Sequence, residues 1–196
     1  MQLIWCIVAV YILQAHSQDK LIRYSIYICN AIVFLRMNAM MFIWLPRGIG
    51  WTEAIGNSLA FALYYIGFPL FSIYASRTMF IPYVAGCLLF LIGGAINTSA
   101  ELIRKPFKDN PANRGKLYTG GLFKYAIHIN YFGDLLWVLG FALVTGNVFA
   151  LVVPVFLLAS FVCSYIPAAD KYLLNKYGKA FEAYRKTTAE LIPYIW

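Results

Sequence analysis

The chain has 196 residues, of which 62% are hydrophobic and 12% are charged, and its formal net charge is +8. Soluble domains are about 45–50% apolar and about 25% charged, so this composition excludes an ordinary soluble domain and indicates a membrane protein. The sequence contains no nucleic-acid-reading motif, and its positive charge therefore favours anionic lipid or a phosphorylated cofactor over nucleic acid.

Runs without charged side chains predict the membrane spans. These runs cover residues 1–18, 54–76, 78–100 and 135–169. A helix needs roughly 20 apolar residues to cross a bilayer, so each of the first three runs predicts one span. The fourth is long enough for two spans, and the turn signal at 145–147 divides it into a helical hairpin. Residues 24–46 form a further span interrupted by Arg36, which makes six predicted spans.

Basic residues predict the orientation of these spans. One cluster lies in the connection after the fourth span and another near the C-terminus. An even number of spans separates the two clusters, so both can face the cytosol. Six spans then place both chain termini on the cytosolic side of an integral, multi-pass membrane protein, although the organelle stays open.

No repeat or linker divides the chain, so the predicted fold is one all-α membrane bundle over 1–196. Four spans occupy 1–100, and 101–196 carries a basic loop, the hairpin and a C-terminal amphipathic helix. The loop is predicted over 104–121, where Pro, Asn and Gly interrupt a helix. The amphipathic helix is predicted over 170–186, either as a membrane-surface anchor or as a cover for a site formed by the loop.

Two polar pairs stand at the ends of spans. Asn97 and Glu101 are four residues apart, as are Asn130 and Asp134, so each pair lies on one helical face. Each pair offers an amide and a carboxylate, which suit a ribose, an amide or an amino group. The alternative is that these residues cap helix ends at the interface. Because both pairs flank the basic loop, the sequence predicts a cofactor site there.

Other polar residues leave two interpretations open. His128 lies two residues before Asn130, hence on another helical face, and either contacts a cofactor or forms an interfacial hydrogen bond. Arg36 lies within a span and needs either an internal ion pair or a role in substrate binding. Tyrosines of the N-terminal half either pack or supply a proton to a developing enolate; these are Tyr24, Tyr27, Tyr64 and Tyr65.

The stretches "GKLYTGGLFKYAIHINYFGDLLWVLGFAL" and "IPAADKYLLNKYGKAFEAYRKTTAELIPYIW" resemble the C-terminal domain of the steroid 5α-reductase family. This superfamily also includes membrane sterol reductases and isoprenylcysteine carboxyl methyltransferases. The resemblance runs from about Gly86 to Trp196, and the ordered motifs "GGLF", "NYFGD" and "LIPY" carry it.

The resemblance implies that NADPH binds from the cytosolic side and that an activated C=C bond of a lipid-like substrate is reduced. It assigns the nicotinamide and ribose contacts to the two Asn/carboxylate pairs and the phosphate contacts to the basic loop. The expected cofactor-binding residues are Asn97, Glu101, Arg104, Lys105, Lys108, Arg114, Tyr118, His128, Asn130, Tyr131 and Asp134. Tyr27 falls nearest to the catalytic tyrosine of the reductases, and no metal site is expected.

Departures from the family pattern leave two alternatives. Ile127 and Ile129 stand where many relatives have a basic residue and a proline, and the region of Ala169 lacks the Arg and His of the reductases. The first alternative is an S-adenosylmethionine-dependent methyltransferase of the isoprenylcysteine type. The second is a catalytically inactive structural subunit of a larger membrane complex.

Overall fold

A computed structural model describes residues 2–16, 19–44, 48, 50–75 and 79–196. Regular structure in these ranges is helical, and one isolated β-bridge pairs Ala126 with Ala189. The α-helices of the described residues are α1 (Gln2–His16), α2 (Lys20–Ala39), α3 (Trp51–Ala62), α4 (Phe68–Ile73), α5 (Phe80–Asp109), α6 (Ile129–Val144), α7 (Val152–Ser160), α8 (Ile166–Tyr177) and α9 (Lys179–Thr187).

Several helices continue through short segments of another helical type. Five-residue π-helices follow α2, α3 and α7; they are Met40–Trp44, Leu63–Gly67 and Phe161–Tyr165. Short 3₁₀ turns occupy the connections at Pro111–Asn113, Gly121–Lys124 and Val148–Leu151. Because a π-helical turn contains an extra residue, it shifts the side chains that follow it around the helix axis.

Four helical segments of the described chain are long and apolar enough to cross a membrane, and the protein is an integral membrane protein. The segments are Lys20–Ile43, Ala54–Ile73, Phe80–Asp109 and Val148–Tyr177. The predicted first and fifth spans form the shorter helices α1 and α6, with 15 and 16 residues. Each is shorter than the roughly 20 residues that a perpendicular span requires. The prediction of six spans is therefore supported for four of them.

The turn predicted at 145–147 is confirmed. Helix α6 ends at Val144, and Gly146 adopts φ 68°, a conformation that glycine reaches without steric penalty. The Asn147 side chain then accepts a hydrogen bond from the Phe149 amide at 2.9 Å and begins the next helical segment.

The predicted start of the basic loop is wrong. Helix α5 continues through Pro106 to Asp109, so the loop begins at Asn110 instead of residue 104. Pro106 removes only one backbone donor, and the Lys105 ammonium lies 2.8 Å from the Asp109 carboxylate across the last turn.

The predicted helix over 170–186 is divided in two. Gly178 has φ 50° and ends α8, and α9 begins at Lys179. Helix propagation fails there because the glycine leaves the right-handed helical region. The amphipathic, membrane-surface character of this region stays a prediction.

The chain divides into two compact units. Unit 1 comprises Met1–Phe90 and Val138–Val153, and unit 2 comprises Leu91–Trp137 and Pro154–Trp196. In unit 1 the Phe141 ring packs on Phe68, with the ring centroids 4.4 Å apart. Unit 2 has two apolar clusters, whose buried members are Ala100, Phe123, Ala126 and Ile129 in one and Phe161, Ile166 and Leu191 in the other.

Glycines allow α5 and α6 to approach closely within each unit. In unit 2 a Cβ atom on Gly133 would lie 2.7 Å from the Asn97 amide nitrogen, and one on Gly93 would clash with the Gly133 carbonyl. In unit 1 a Cβ atom on Gly86 would lie 2.8 Å from the Gly140 carbonyl oxygen. Close helix contact through small residues is a common packing mode in membranes.

We expect Gly133→Ala to destabilise the protein, because the new methyl group would force the α5 backbone away from α6. Overpacking of this kind costs about 1–3 kcal/mol, so the melting temperature in detergent should fall by several degrees. Gly56→Ala is the matched control, since a Cβ atom at Gly56 meets nothing within 4 Å. Equal melting temperatures for Gly133→Ala and Gly56→Ala would contradict the close approach.

Candidate functional site

A buried polar network joins α5 to α6 in unit 2. The Asn97 side-chain amide donates to the Asn130 carbonyl at 3.1 Å and to Asp134 Oδ1 at 2.9 Å. The Trp137 indole N–H also donates to Asp134 Oδ1, at 2.8 Å. Asn97 is 2% exposed. The two pairs that the sequence places on either side of the loop therefore meet through Asn97 and Asp134.

Glu101, the other carboxylate of the two pairs, binds an arginine of the same helix, α5. Glu101 accepts two hydrogen bonds from the Arg104 guanidinium, at 2.5 and 2.6 Å. The guanidinium also lies over the Phe123 ring, 5.0 Å from its centroid. Arg104 Nε is buried and has no hydrogen-bond partner among the described residues. One donor of this cation is therefore unsatisfied at the end of α5.

The loop after α5 folds over the end of that helix by aromatic contacts. The Tyr118 ring lies between Phe107 and Phe123, with centroid distances of 5.0 and 5.7 Å. Gly121 has φ 56°, and a Cβ atom there would lie 2.8 Å from the Ile103 side chain. The second glycine of the "GGLF" motif is therefore required by both backbone conformation and space.

A second polar cluster lies around His128 and was not predicted as a unit. The His128 Nε2 atom lies 2.8 Å from Asp170 Oδ1, and both side chains are buried. An ionised carboxylate only accepts, so a hydrogen bond to it requires the histidine tautomer with a proton on Nε2. Arg185 lies 3.4 Å from the other Asp170 oxygen and 3.3 Å from Glu190. Asp170, Arg185 and Glu190 are far from His128 in the sequence, so residue spacing did not indicate this cluster.

Backbone pairing holds this cluster in place. The amides of Ile127 and His128 donate to the carbonyls of Ala189 and Glu190, at 2.8 and 2.9 Å. The Ile127 side chain is buried at this pairing. The segment before α6 and the segment after α9 thus form one short paired structure.

Aromatic rings continue from His128 into the π-helix of unit 2. His128 stacks on Tyr131 with an interplanar angle of 7°, and Tyr131 stacks on Phe161 with the centroids 4.6 Å apart. Phe161 begins the π-helix Phe161–Tyr165. The first residue of this π-helix thus packs an aromatic ring against the start of α6.

The predicted cofactor residues all lie in unit 2. The structure brings together Asn97 with Asp134, and Glu101 with Arg104, whereas Lys105 is paired with Asp109. Lys108 and Arg114 are exposed, Tyr118 packs in the loop, and His128 stacks on Tyr131. Their role in binding a cofactor stays a prediction.

Unit 1 contains the predicted catalytic tyrosine and a more deeply buried polar pair. The Tyr27 hydroxyl donates to the Val10 carbonyl at 3.4 Å. The Asn30 amide donates to the Tyr65 carbonyl at 3.4 Å, and Tyr65 lies in the π-helix Leu63–Gly67. The Tyr65 hydroxyl and the Asn30 side-chain oxygen are buried without hydrogen-bond partners among the described residues. Arg36 is half-buried in the last turn of α2.

Comparison with known proteins places the chain in one protein family and shows its similarity to O-methyltransferases and steroid dehydrogenases. Residues 57–188 match the family described as "Protein of unknown function (DUF1295)". Protein-S-isoprenylcysteine O-methyltransferase of Schizosaccharomyces pombe is 28% identical over 161 residues, or 78% of this chain and 67% of that protein. The 3-oxo-5-alpha-steroid 4-dehydrogenase 1 of Mus musculus is 32% identical over 126 residues, or 64% of this chain and 48% of that protein.

A further relative matches a shorter segment. The probable O-methyltransferase ustE of Ustilaginoidea virens is 38% identical over 102 residues, which cover 51% of this chain. The chain spans only 36% of the ustE protein and about half of the steroid dehydrogenase.

We expect the cluster around His128 to make stability depend on pH through Glu190. Burial, reinforced by the neighbouring Asp170 carboxylate, raises the pKa of Glu190, although Arg185 opposes the shift. Because the folded-state pKa is raised, this contribution to stability is complete below the unfolded-state pKa of about 4.3 and is lost as pH rises through the folded-state pKa. Glu190→Gln removes the titration, so its melting temperature relative to the wild type should increase from pH 4 to 7.

Glu182→Gln removes the same charge from the exposed side of α9 and serves as the control. If the melting temperature of Glu190→Gln relative to the wild type stays constant or falls with rising pH, the raised pKa of Glu190 is contradicted.

Proposed function

Since the chain belongs to the DUF1295 family, which is steroid 5α-reductase C-terminal-like, we propose that it is an NADPH-dependent reductase of the membrane. Its substrate would be a lipid-like molecule with a C=C bond activated by a carbonyl group. The similarity to a 3-oxo-5-alpha-steroid 4-dehydrogenase supports this reaction class.

The observation that carries the proposal is the unsatisfied donor of Arg104. A buried guanidinium N–H without an acceptor is unfavourable by about 1–3 kcal/mol or more, so it favours an anionic ligand. A phosphate oxygen fits this donor, because guanidinium groups bind phosphate through several N–H donors at once. Arg104 keeps its two bonds to Glu101 and offers Nε in addition.

Other residues of unit 2 complete a binding surface for NADPH. Lys108 and Arg114 are exposed near the same loop and add positive charge for phosphates. The Asn130 backbone carbonyl accepts a hydrogen bond from Asn97. The Asn130 side-chain amide makes no hydrogen bond within the described chain. That amide suits the carboxamide of a nicotinamide. When bound, NADPH supplies the hydride that the β-carbon of an enone accepts.

A second function, methyl transfer, is favoured by a different observation. Two carboxylates lie around His128 in unit 2, with Asp170 9% and Glu190 22% exposed at the side chain, against the single arginine Arg185 that contacts both. Carboxylates suit S-adenosylmethionine, which carries a sulfonium cation, better than they suit a phosphorylated cofactor. The match to the isoprenylcysteine O-methyltransferase also covers more of this chain than the match to the steroid dehydrogenase.

We expect purified protein to bind NADPH in a calorimetric titration and Arg104→Gln to weaken this binding by about 10–100-fold. The estimate follows from the loss of a hydrogen bond between charged groups, at about 1.5–3 kcal/mol. Arg104→Lys keeps the charge but lacks Nε, so its affinity for NADPH should lie between those of the wild type and Arg104→Gln. Arg23→Gln, which removes an arginine of α2 in unit 1, is the charge-matched control.

The same titration with S-adenosylmethionine separates the candidates. Binding of S-adenosylmethionine alone, weakened by Asp170→Asn, would replace the reductase with the methyltransferase. Wild-type binding of NADPH by Arg104→Gln would refute the phosphate contact. Binding of neither cofactor would leave the structural-subunit interpretation.

A further inference from the structure

A positively charged pocket lies in unit 2, and none of the residues assigned to the cofactor lines it. Its volume is about 370 Å³, and it forms where the 3₁₀ turn Gly121–Lys124 meets the end of α9 and the last residues of the chain. We propose that this pocket binds the phosphate headgroup of an anionic phospholipid from the surrounding bilayer. The proposal is independent of the reaction that the protein catalyses.

Two lysines give the pocket its charge. Lys124 and Lys186 both line it, and no acidic side chain is among its lining residues. Both lysines are exposed, and neither forms an ion pair with a carboxylate in the described part of the chain. The Lys124 ammonium lies 4.7 Å from the centroid of the Tyr125 ring, which limits the positions it can occupy.

Hydroxyl groups add hydrogen-bonding capacity beside the lysines. Thr187 and Thr188 line the pocket, and the Thr187 hydroxyl donates to the Tyr184 carbonyl at 3.2 Å. Thr188 follows the last residue of α9, where its backbone is extended. The Thr188 hydroxyl makes no hydrogen bond with the described residues and can therefore donate to a phosphate oxygen.

The pocket is held together by contacts between distant segments. The Ile127 amide donates to the Ala189 carbonyl at 2.8 Å, and the Tyr184 hydroxyl donates to the Phe123 carbonyl. These bonds fix the segment of Lys124 next to the end of α9. The two lysines therefore share a preformed pocket, and binding does not require both segments to become ordered.

An exposed apolar edge indicates a lipid as the occupant in preference to a soluble phosphate. Tyr194 is 83% and Ile195 80% exposed, and Trp196 lines the same pocket. Tyrosine and tryptophan are enriched where membrane proteins meet lipid headgroups. Helix α9 also follows, after Gly178, the candidate span Val148–Tyr177. The pocket thus combines cations, hydroxyls and aromatic rings of the interfacial type in the segment that follows a candidate span.

The backbone at this edge is held in an uncommon conformation. Tyr194 has φ 64°, which is unusual for a residue with a side chain. The Leu191 amide closes the turn by donating to the Trp196 carbonyl at 2.7 Å, and the Tyr194 ring meets the Tyr125 ring edge-on at 5.7 Å. The turn directs Tyr194 and Ile195 outward, and such strain is often retained at binding sites.

The test measures lipid retention by native mass spectrometry after release from nanodiscs of dioleoylphosphatidylcholine and dioleoylphosphatidylglycerol in equal amounts. We expect wild-type protein to retain phosphatidylglycerol preferentially. The Lys124→Gln/Lys186→Gln variant should lose this preference by about 30-fold, as expected for two lysines near an anionic lipid surface. Lys20→Gln/Lys179→Gln lowers the net charge equally outside the pocket and should keep the preference.

Two results would overturn the proposal. An unchanged preference in the Lys124→Gln/Lys186→Gln variant would mean that the pocket does not select the lipid. Displacement of phosphatidylglycerol by millimolar inorganic phosphate, with no effect of Tyr194→Ser, would assign the pocket to a soluble anion. Under the lipid proposal, Tyr194→Ser weakens the retention of phosphatidylglycerol because it removes the interfacial ring. The melting temperature of this variant checks that it is folded.

Discussion

The hydrogen bonds of the Asn97 side chain are the interaction on which the structure of unit 2 depends. Asn97 is almost completely buried, and its amide joins α5 to both the backbone and a side chain of α6. In an apolar environment an unpaired amide or carboxylate is costly, so these groups fix the position of the two helices relative to each other. The glycine contact between Gly93 and Gly133 is what lets Asn97 reach Asp134.

This arrangement changes the meaning of the polar pairs in the sequence. A pair four residues apart on one helix suggests two groups that face the same ligand. In the folded chain Asn97 turns toward α6, while Glu101 turns toward Arg104. Among the described residues next to these pairs, Arg104 Nε and the Asn130 side-chain amide have hydrogen-bonding capacity that the protein does not use. The proposed cofactor contacts therefore rest on the groups whose hydrogen-bonding capacity is not used within or between the two helices.

The pairing of residues 126–128 with residues 189–190 organises the other half of unit 2. His128 lies buried beside Asp170 at this pairing, and Ala189 of the same pairing also lines the positively charged pocket. One short backbone contact thus supports two distinct electrostatic environments. The buried one is rich in carboxylates and the exposed one is rich in lysines, so the two environments suit ligands of opposite charge.

The sequence by itself determined the membrane class, the turn at 145–147 and the helical character of the chain, because these follow from composition, charge-free runs and local turn chemistry. It misplaced the loop start, because Pro106 removes only one hydrogen bond near the end of α5, and it missed the break at Gly178. Only the tertiary structure decided that His128 meets Asp170 and that Lys124 shares a pocket with Lys186. Such contacts join segments far apart in the chain, and hydrogen bonds between them leave no periodic pattern in the sequence.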